Sequence, residues 1–209
     1  GLGAMGEHMA AHLASAGQLV SVYNRTLSRA QAFADRHGVA AADSVDTLGR
    51  NCDVVVLCVS ADADVEAVCE HLANSMTAGG LVIDCSTVAR ETAVAVAQRL
   101  ESAGIRFVDA PVSGGTEGAR KGSLTIMVGG QAADFERATA VLDRLGERIH
   151  HMGPVGAGQA TKAVNQVLCA GINRAVTEAL AFGEALGLPM DSVVDVVGSG
   201  AGLDAATRG

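Results

Sequence analysis

Apolar and polar positions along the chain keep changing period up to about residue 153, then settle into a single helical one. Short runs rich in Val, Ile and Leu recur at 19–23, 39–41, 54–59, 81–84, 106–109, 124–130 and 148–151, and each reads as a strand. Between them apolar residues fall three and four apart, which predicts helices. The first runs through Met5, Met9 and Leu13 and ends at Gly17. Others are expected at 27–37, 44–49 (one helical turn), up to about 73, at 90–102 and at 132–145. The run 54–59 is apolar at every position, the sign of a parallel strand covered on both faces. After Gly158 one long helix continues to about Leu186 and stops at Gly187-Leu188-Pro189; a further helix over 192–197 follows, with Asp191 as its cap. The pattern predicts an α/β chain, with a doubly wound, mostly parallel sheet over 1–153 and the start of an all-helical domain over 154–209.

The first helix opens on Gly1-Leu2-Gly3-Ala4-Met5-Gly6, a G-x-G-x-x-G turn. In a dinucleotide-binding fold of the Rossmann type these glycines give a tight turn, close approach of a pyrophosphate, and close helix–strand packing. The strand that this fold places before the first glycine is not among the 209 residues, so the chain reads as a fragment. The run 19–23 ends at Asn24, 18 positions beyond Gly6, where the fold reads the ribose. An Asp or Glu there would bind both ribose hydroxyls and repel a 2′-phosphate. Asn24, Arg25 and Thr26 instead offer an amide, a guanidinium and a hydroxyl, a set that accepts phosphate and favours NADP over NAD. Thr26 capping the next helix and a solvated Arg25 are compatible with the same residues. Ligands of open α/β sheets lie beyond the carboxyl ends of strands, which places Val59-Ser60 and Ser86-Thr87 at the rim, although capping explains Ser and Thr there equally well. Farther on, Pro111 leads into Ser113-Gly114-Gly115, whose consecutive N–H groups and hydroxyl form a concave turn suited to a carboxylate. Gly129-Gly130 reads as a simple turn.

The glycine-rich turn 153–158 leaves N–H groups open at the start of the long helix. Lys162 lies one turn in, with Asn165 and Gln166 three and four residues later on the same face. Its chain neighbours are Ala, Thr and Val, so it has no local counter-ion. On a buried face its amine needs a partner from elsewhere or a lowered pKa, and either makes it a candidate proton donor. On a solvated face it is an ordinary surface lysine.

Composition narrows the classes. At 49% hydrophobic and 18% charged, the chain has material for a real core, built almost without aromatics. A formal net charge of −8 argues against a nucleic-acid partner or an anionic membrane surface. No apolar run approaches the roughly 18 residues that cross a bilayer. Five cysteines without a C-x-x-C pair read as small core residues in a reducing compartment, and the cytoplasm is expected. His8 and His12 stand four apart but lack a third ligand nearby, so no metal is expected. Val167, Ile172 and Val176 give the long helix apolar residues on more than one face, which predicts enclosure by the remainder of a longer chain or by a second subunit, and a homo-oligomer is expected of the full-length protein.

GLGAMGEHMAAHL at the start, DAPVSGG at 109–115, EGARKGSLTIMVGG at 117–130 and GAGQATKAVNQ at 156–166, in this order, resemble the β-hydroxyacid dehydrogenases. That family includes 3-hydroxyisobutyrate dehydrogenase, 2-hydroxy-3-oxopropionate (tartronate semialdehyde) reductase and, more distantly, 6-phosphogluconate dehydrogenase. The resemblance implies an NAD(P)-dependent enzyme that interconverts a short 3-hydroxy acid and its semialdehyde, with the active site between a cofactor domain and a helical domain. It further implies Lys162 as the catalytic lysine, Asn165 beside it, Ser113, Gly114 and Gly115 around the substrate carboxylate, and Thr87 near the nicotinamide. Some relatives carry two asparagines after the lysine. The pair here is Asn165-Gln166, which looks more like the tartronate semialdehyde reductases. Imine reductases share the architecture but typically replace the lysine. A non-catalytic binding protein on this fold would be expected to lose Lys162 or the Ser113 turn.

Overall fold

The apolar runs fold as the strands their sequence predicts, with ends set by the strands that pair with them. The computed structural model describes residues 1–199. In chain order the unit Gly1–Lys162 runs α1 (Gly6–Ser15), β1 (Ser21–Val22), α2 (Leu27–His37), β2 (Ala40–Ala41), α3 (Val45–Asn51), β3 (Val54–Leu57), α4 (Asp62–Ser75) and β4 (Leu81–Asp84). It continues with α5 (Arg90–Ser102), β5 (Arg106–Asp109), β6 (Val112–Ser113), α6 (Gly115–Lys121), β7 (Leu124–Gly129), α7 (Ala132–Leu142) and β8 (Gly146–Gly153). The unit closes on the first residues of α8 (Ala157–Ala185); a second unit begins at Ala163 and holds the rest of α8 and α9 (Met190–Ser199).

Parallel neighbours β3, β4 and β5 carry Leu57, Asp84 and Asp109 at matching positions near their carboxyl ends. β7 pairs antiparallel with β5 and β6, and β8 lies parallel to β7. Residues on β4 alternate between two cores. Leu81 and Ile83 face α1, α6 and α7 through Met9, Ala119 and Leu142, while Val82 faces α3, α4 and α5 through Val45, Leu72 and Val96. The sheet is thus covered on both sides, as a doubly wound fold requires, and each fully buried Leu or Ile contributes about 1.5–3 kcal/mol. A forked ion pair from Arg106 to Asp134, with contacts of 2.8–3.1 Å, fastens α7 to β5.

The structure corrects several expected boundaries. The 19–23 run contributes only Ser21–Val22, because β2 is its one paired strand among the described residues, and the two form a sheet of their own. Residues 112–113, read as part of a turn, are strand β6 because they pair with Ile126 and Thr125. α7 stops at Leu142, three residues early, and Leu145 is buried from the following turn by donating to the Leu142 carbonyl. β8 extends over eight residues because β7 offers it partners along its whole length. α9 starts at Met190, with the Val193 N–H on the Pro189 carbonyl, so Pro189 takes the cap position and Asp191 lies in the first turn.

Candidate active site

The glycine turn is seated against the carboxyl end of β3. A Cβ on Gly1 would lie 2.6 Å from the Cys58 carbonyl oxygen, and one on Gly6 would collide with the Gly1 carbonyl, so neither position admits a side chain. A Cβ on Gly3 would meet no protein atom within 4 Å, which leaves the outer side of the turn open to a bulky anion. The Leu2 N–H donates to Asn24 Oδ1 (3.0 Å), and Asn24 Nδ2 donates to the Thr26 carbonyl (3.1 Å). Both ends of the Asn24 amide are therefore engaged in holding the turn to the end of β1. Arg25 is 89% exposed with its guanidinium 3.3 Å from Asp64 Oδ1. Thr26 occupies the cap position of α2 but its side chain makes no capping bond, so the hydroxyl stays available. Gly1, Gly3, Arg25, Thr26, Val59 and Ser60 share one cavity of about 880 Å³. Ala4 and Met5 belong to the same turn without lining it, and Thr87, Ser113, Gly114, Gly115 and Lys162 lie outside that cavity.

At the end of β4 the two hydroxyls differ. Ser86 is buried; its Oγ accepts the Val59 N–H (3.0 Å) and its own N–H donates to Asp84 Oδ1 (2.9 Å). Thr87 is exposed. Asp84 Oδ2 has no hydrogen-bond partner among the described residues, and burial pushes the carboxyl up to about 6. An unfolded Asp titrates near 3.9. The folded state thus holds this proton longer, and the stability that Asp84 contributes is fully present below about pH 4 and is lost as pH rises through about 6. Asp84→Asn, which keeps the oxygen facing Ser86 and cannot ionise, is expected to gain on the order of 2–3 kcal/mol on the parent between pH 4 and pH 7.5. Urea melts at both pH values measure this; parallel pH slopes in parent and variant would show that Asp84 does not titrate in this range.

Ser113 pairs across from Thr125, and the chain then turns through Gly114 (φ +126°) and Gly115 (φ +61°) into α6. Both glycines are exposed, and their positive φ angles favour glycine.

Lys162 stands in the first turns of α8 and is only 8% exposed, so of the two readings of this lysine the buried one holds. The start of its helix is held by Asp109, whose Oδ1 accepts the Gly156 N–H (2.7 Å) and Oδ2 the Gln159 N–H (2.8 Å). Burial lifts the Asp109 carboxyl above the usual range, and these N–H contacts oppose the lift. A Cβ on Gly129 would collide with Asp109 Oδ1, so Gly129 is a close-approach position rather than the simple turn its sequence indicates. This anchoring also explains why the first unit extends to Lys162. Asn165 and Gln166 fall in the second unit, Asn165 half-buried and Gln166 exposed.

Residues 1–153 match a family described as the NAD binding domain of 6-phosphogluconate dehydrogenase, and residues 156–208 match one described as NAD-binding of NADP-dependent 3-hydroxyisobutyrate dehydrogenase. The chain belongs to the β-hydroxyacid dehydrogenase family. An uncharacterised oxidoreductase of Synechocystis sp. is 43% identical over 205 residues, which cover 96% of this chain and 71% of that protein. The 3-hydroxyisobutyrate dehydrogenase of Pseudomonas aeruginosa is 39% identical over 191 residues, or 90% of this chain and 64% of that one. The solved structure of Mycobacterium tuberculosis 3-hydroxyisobutyrate dehydrogenase with L-serine aligns with a TM-score of 0.87 and 36% identity, covering 97% of this chain and 69% of that one.

Two residues of this β-hydroxyacid dehydrogenase gain weight from the structure rather than from the motifs. Asp109 reads in sequence as the end of a strand, and Gln159 as one polar residue in a Gly/Ala turn; the signal for Gln159 was its place one turn ahead of Lys162 on an otherwise apolar stretch. His12 Nε2 lies 3.1 Å from the carbonyl oxygens of both Ala119 and Arg120, so that nitrogen carries a proton directed at the end of α6. Among the described residues no three His, Cys, Asp or Glu side chains converge as a metal site, and no helix is long and apolar enough to cross a membrane.

Proposed function

We propose that the protein is an NADP-preferring dehydrogenase that interconverts a short 3-hydroxy acid and its semialdehyde, with Lys162 moving the proton. The observation that carries this reading is a lysine buried one turn into a helix whose start is fastened to the carboxyl ends of β4 and β5. NADP(H), when bound, would supply the acceptor or donor for the hydride of the alcohol carbon. Lys162 takes the hydroxyl proton as the hydride leaves, and returns it to the carbonyl oxygen in the reverse direction. Ser113 Oγ and the N–H groups of Gly114 and Gly115 receive the substrate carboxylate. Asn165 and Gln166, three and four residues after Lys162, are assigned to the substrate as well. The open face of Gly3, with Arg25 and Thr26 at the end of β1, fits the pyrophosphate and the 2′-phosphate. Asn24 acts by holding the glycine turn in place. Relatives named for 3-hydroxyisobutyrate and a solved one with L-serine support a substrate class of small acids bearing a terminal CH–OH. Gln166, in place of a second asparagine, favours 2-hydroxy-3-oxopropionate as a second reading within that class. The exposed Val164, Val167 and Leu168 of α8 support a homo-oligomer.

A panel of small hydroxy acids and semialdehydes assayed with both cofactors on the full-length protein tests this; activity confined to other substrate classes would overturn it. Arg25→Ala is expected to lower kcat/KM for NADP(H) roughly tenfold relative to NAD(H), a change of about 1.4 kcal/mol reflecting one solvent-exposed charged contact to phosphate. An unchanged NADP/NAD ratio would remove Arg25 from the cofactor site.

A further inference from the structure

Gln159 is 2% exposed, and both ends of its side-chain amide are engaged. Nε2 donates to the Ser86 carbonyl (2.8 Å), and Oε1 accepts the Val88 N–H (3.2 Å). These two backbone groups stand on either side of Thr87, whose own side chain remains exposed. The Gln159 backbone is fixed in turn, since its N–H donates to Asp109 Oδ2 (2.8 Å). On the other side Ser86 is tied to Asp84 by its N–H and to Val59 by its hydroxyl. One amide thus links the carboxyl ends of β3, β4 and β5 to the first turn of α8.

We infer that Gln159 is a positioning residue that sets the Thr87 segment at a fixed distance from Lys162. This rests on the proton role proposed for Lys162 and on the place near the nicotinamide that the resemblance implies for Thr87. Lys162 follows Gln159 by three positions, a rise of about 4.5 Å along the helix. The loop from Cys85 to Ala89 has a carbonyl and an N–H facing away from the sheet, and it needs a donor and an acceptor side by side. An amide of Gln length supplies both, as a neighbouring strand would. A methionine fills the same volume and leaves both backbone groups without partners. A glutamate presents an oxygen to the Ser86 carbonyl and can donate to it only when protonated; burial beside that carbonyl raises its pKa.

The test uses the full-length protein with Gln159→Met and Gln159→Glu, read by kcat, KM, NADP(H) Kd, far-UV circular dichroism and amide hydrogen exchange. Gln159→Met is expected to keep its secondary structure and an NADP(H) Kd within about threefold of the parent. Its kcat is expected to fall about 10–100-fold with KM for the hydroxy acid nearly unchanged, the loss that comes from misplacing groups rather than removing them. The kcat deficit of Gln159→Glu should narrow by about tenfold or more from pH 8.5 to pH 6, as the introduced carboxyl regains its proton; the deficit of Gln159→Met should not change with pH. Folded variants with kcat within threefold of the parent, or a Gln159→Glu deficit that is flat with pH, overturn the inference. Should neither variant fold, the parent alone decides, because a Val88 amide exchanging as fast as exposed loop amides means that the clamp is not formed. A parent inactive on every hydroxy acid overturns the functional reading instead, and slow Val88 exchange in the parent that becomes fast in Gln159→Met still supports the clamp.

Discussion

Lys162→Ala is expected to lower kcat by about three orders of magnitude while the Kd for NADP(H) stays within about threefold of the parent. A positioned acid–base group contributes on the order of 10²–10⁴ in rate, and the variant retains every residue proposed to hold the cofactor, in the glycine turn and at Arg25 and Thr26. Alanine is also the best helix former, so the start of α8 should survive the change, held as before by Asp109. Lys162→Arg should be nearly as slow, because a guanidinium keeps the charge and cannot give up its proton near neutral pH. Steady-state rates and a fluorescence titration of NADPH separate the two quantities. A modest fall in kcat with a large loss of NADP(H) binding would make Lys162 a structural residue whose buried amine supports the fold.

The second large effect concerns stability. Asp109→Ala removes the acceptors of two buried N–H groups, those of Gly156 and Gln159, in a space too crowded by Gly129, Gly158 and Met127 for the backbone to close over them. Each unsatisfied buried donor costs about 1–3 kcal/mol, so the variant should lose about 3–5 kcal/mol. For a protein of this size that is a fall in Tm on the order of 10 °C. The Asp109 side chain offers acceptor oxygens in either protonation state, so the deficit should persist from pH 5 to pH 8. Thermal or urea melts measure it, and a loss below about 1 kcal/mol would mean that the helix start finds other acceptors.

The elements most legible in the sequence were those whose own residues decide them. α2, α5, β4 and β5 begin and end where their apolar spacing and flanking turns place them. Strand β1 was overread because LVSVY has the β-branched composition of a longer strand, while the length of a strand is set by its neighbours. The glycine turn before α1 was legible because glycine spacing is a local signal. The inward role of Asn24 was not, since its partner Leu2 lies 22 positions away. Asp109 and Gln159 escaped for the same reason on a larger scale: their bonds span 50 and 73 positions, and nothing in a linear pattern marks which buried amide faces which loop. Lys162 could be singled out by its apolar neighbours, but its burial depends on helix and sheet meeting at Asp109.

The residues that hold Arg25 and those that hold Lys162 belong to different packing groups. Leu2, Ala10, Val22, Ala30, Phe33 and Ala34 form a cluster of their own around β1 and α2. The clamp on α8 rests on β4 and β5, whose apolar residues pack in the other two clusters. Distant sites with no shared partners behave additively. With the roles proposed for Arg25 and Lys162, substitutions confined to the cluster around β1 and α2 are therefore expected to change coenzyme preference while the proton step keeps its rate. Changes at Val59 or Ser86, which join the cavity to the clamp, should affect both.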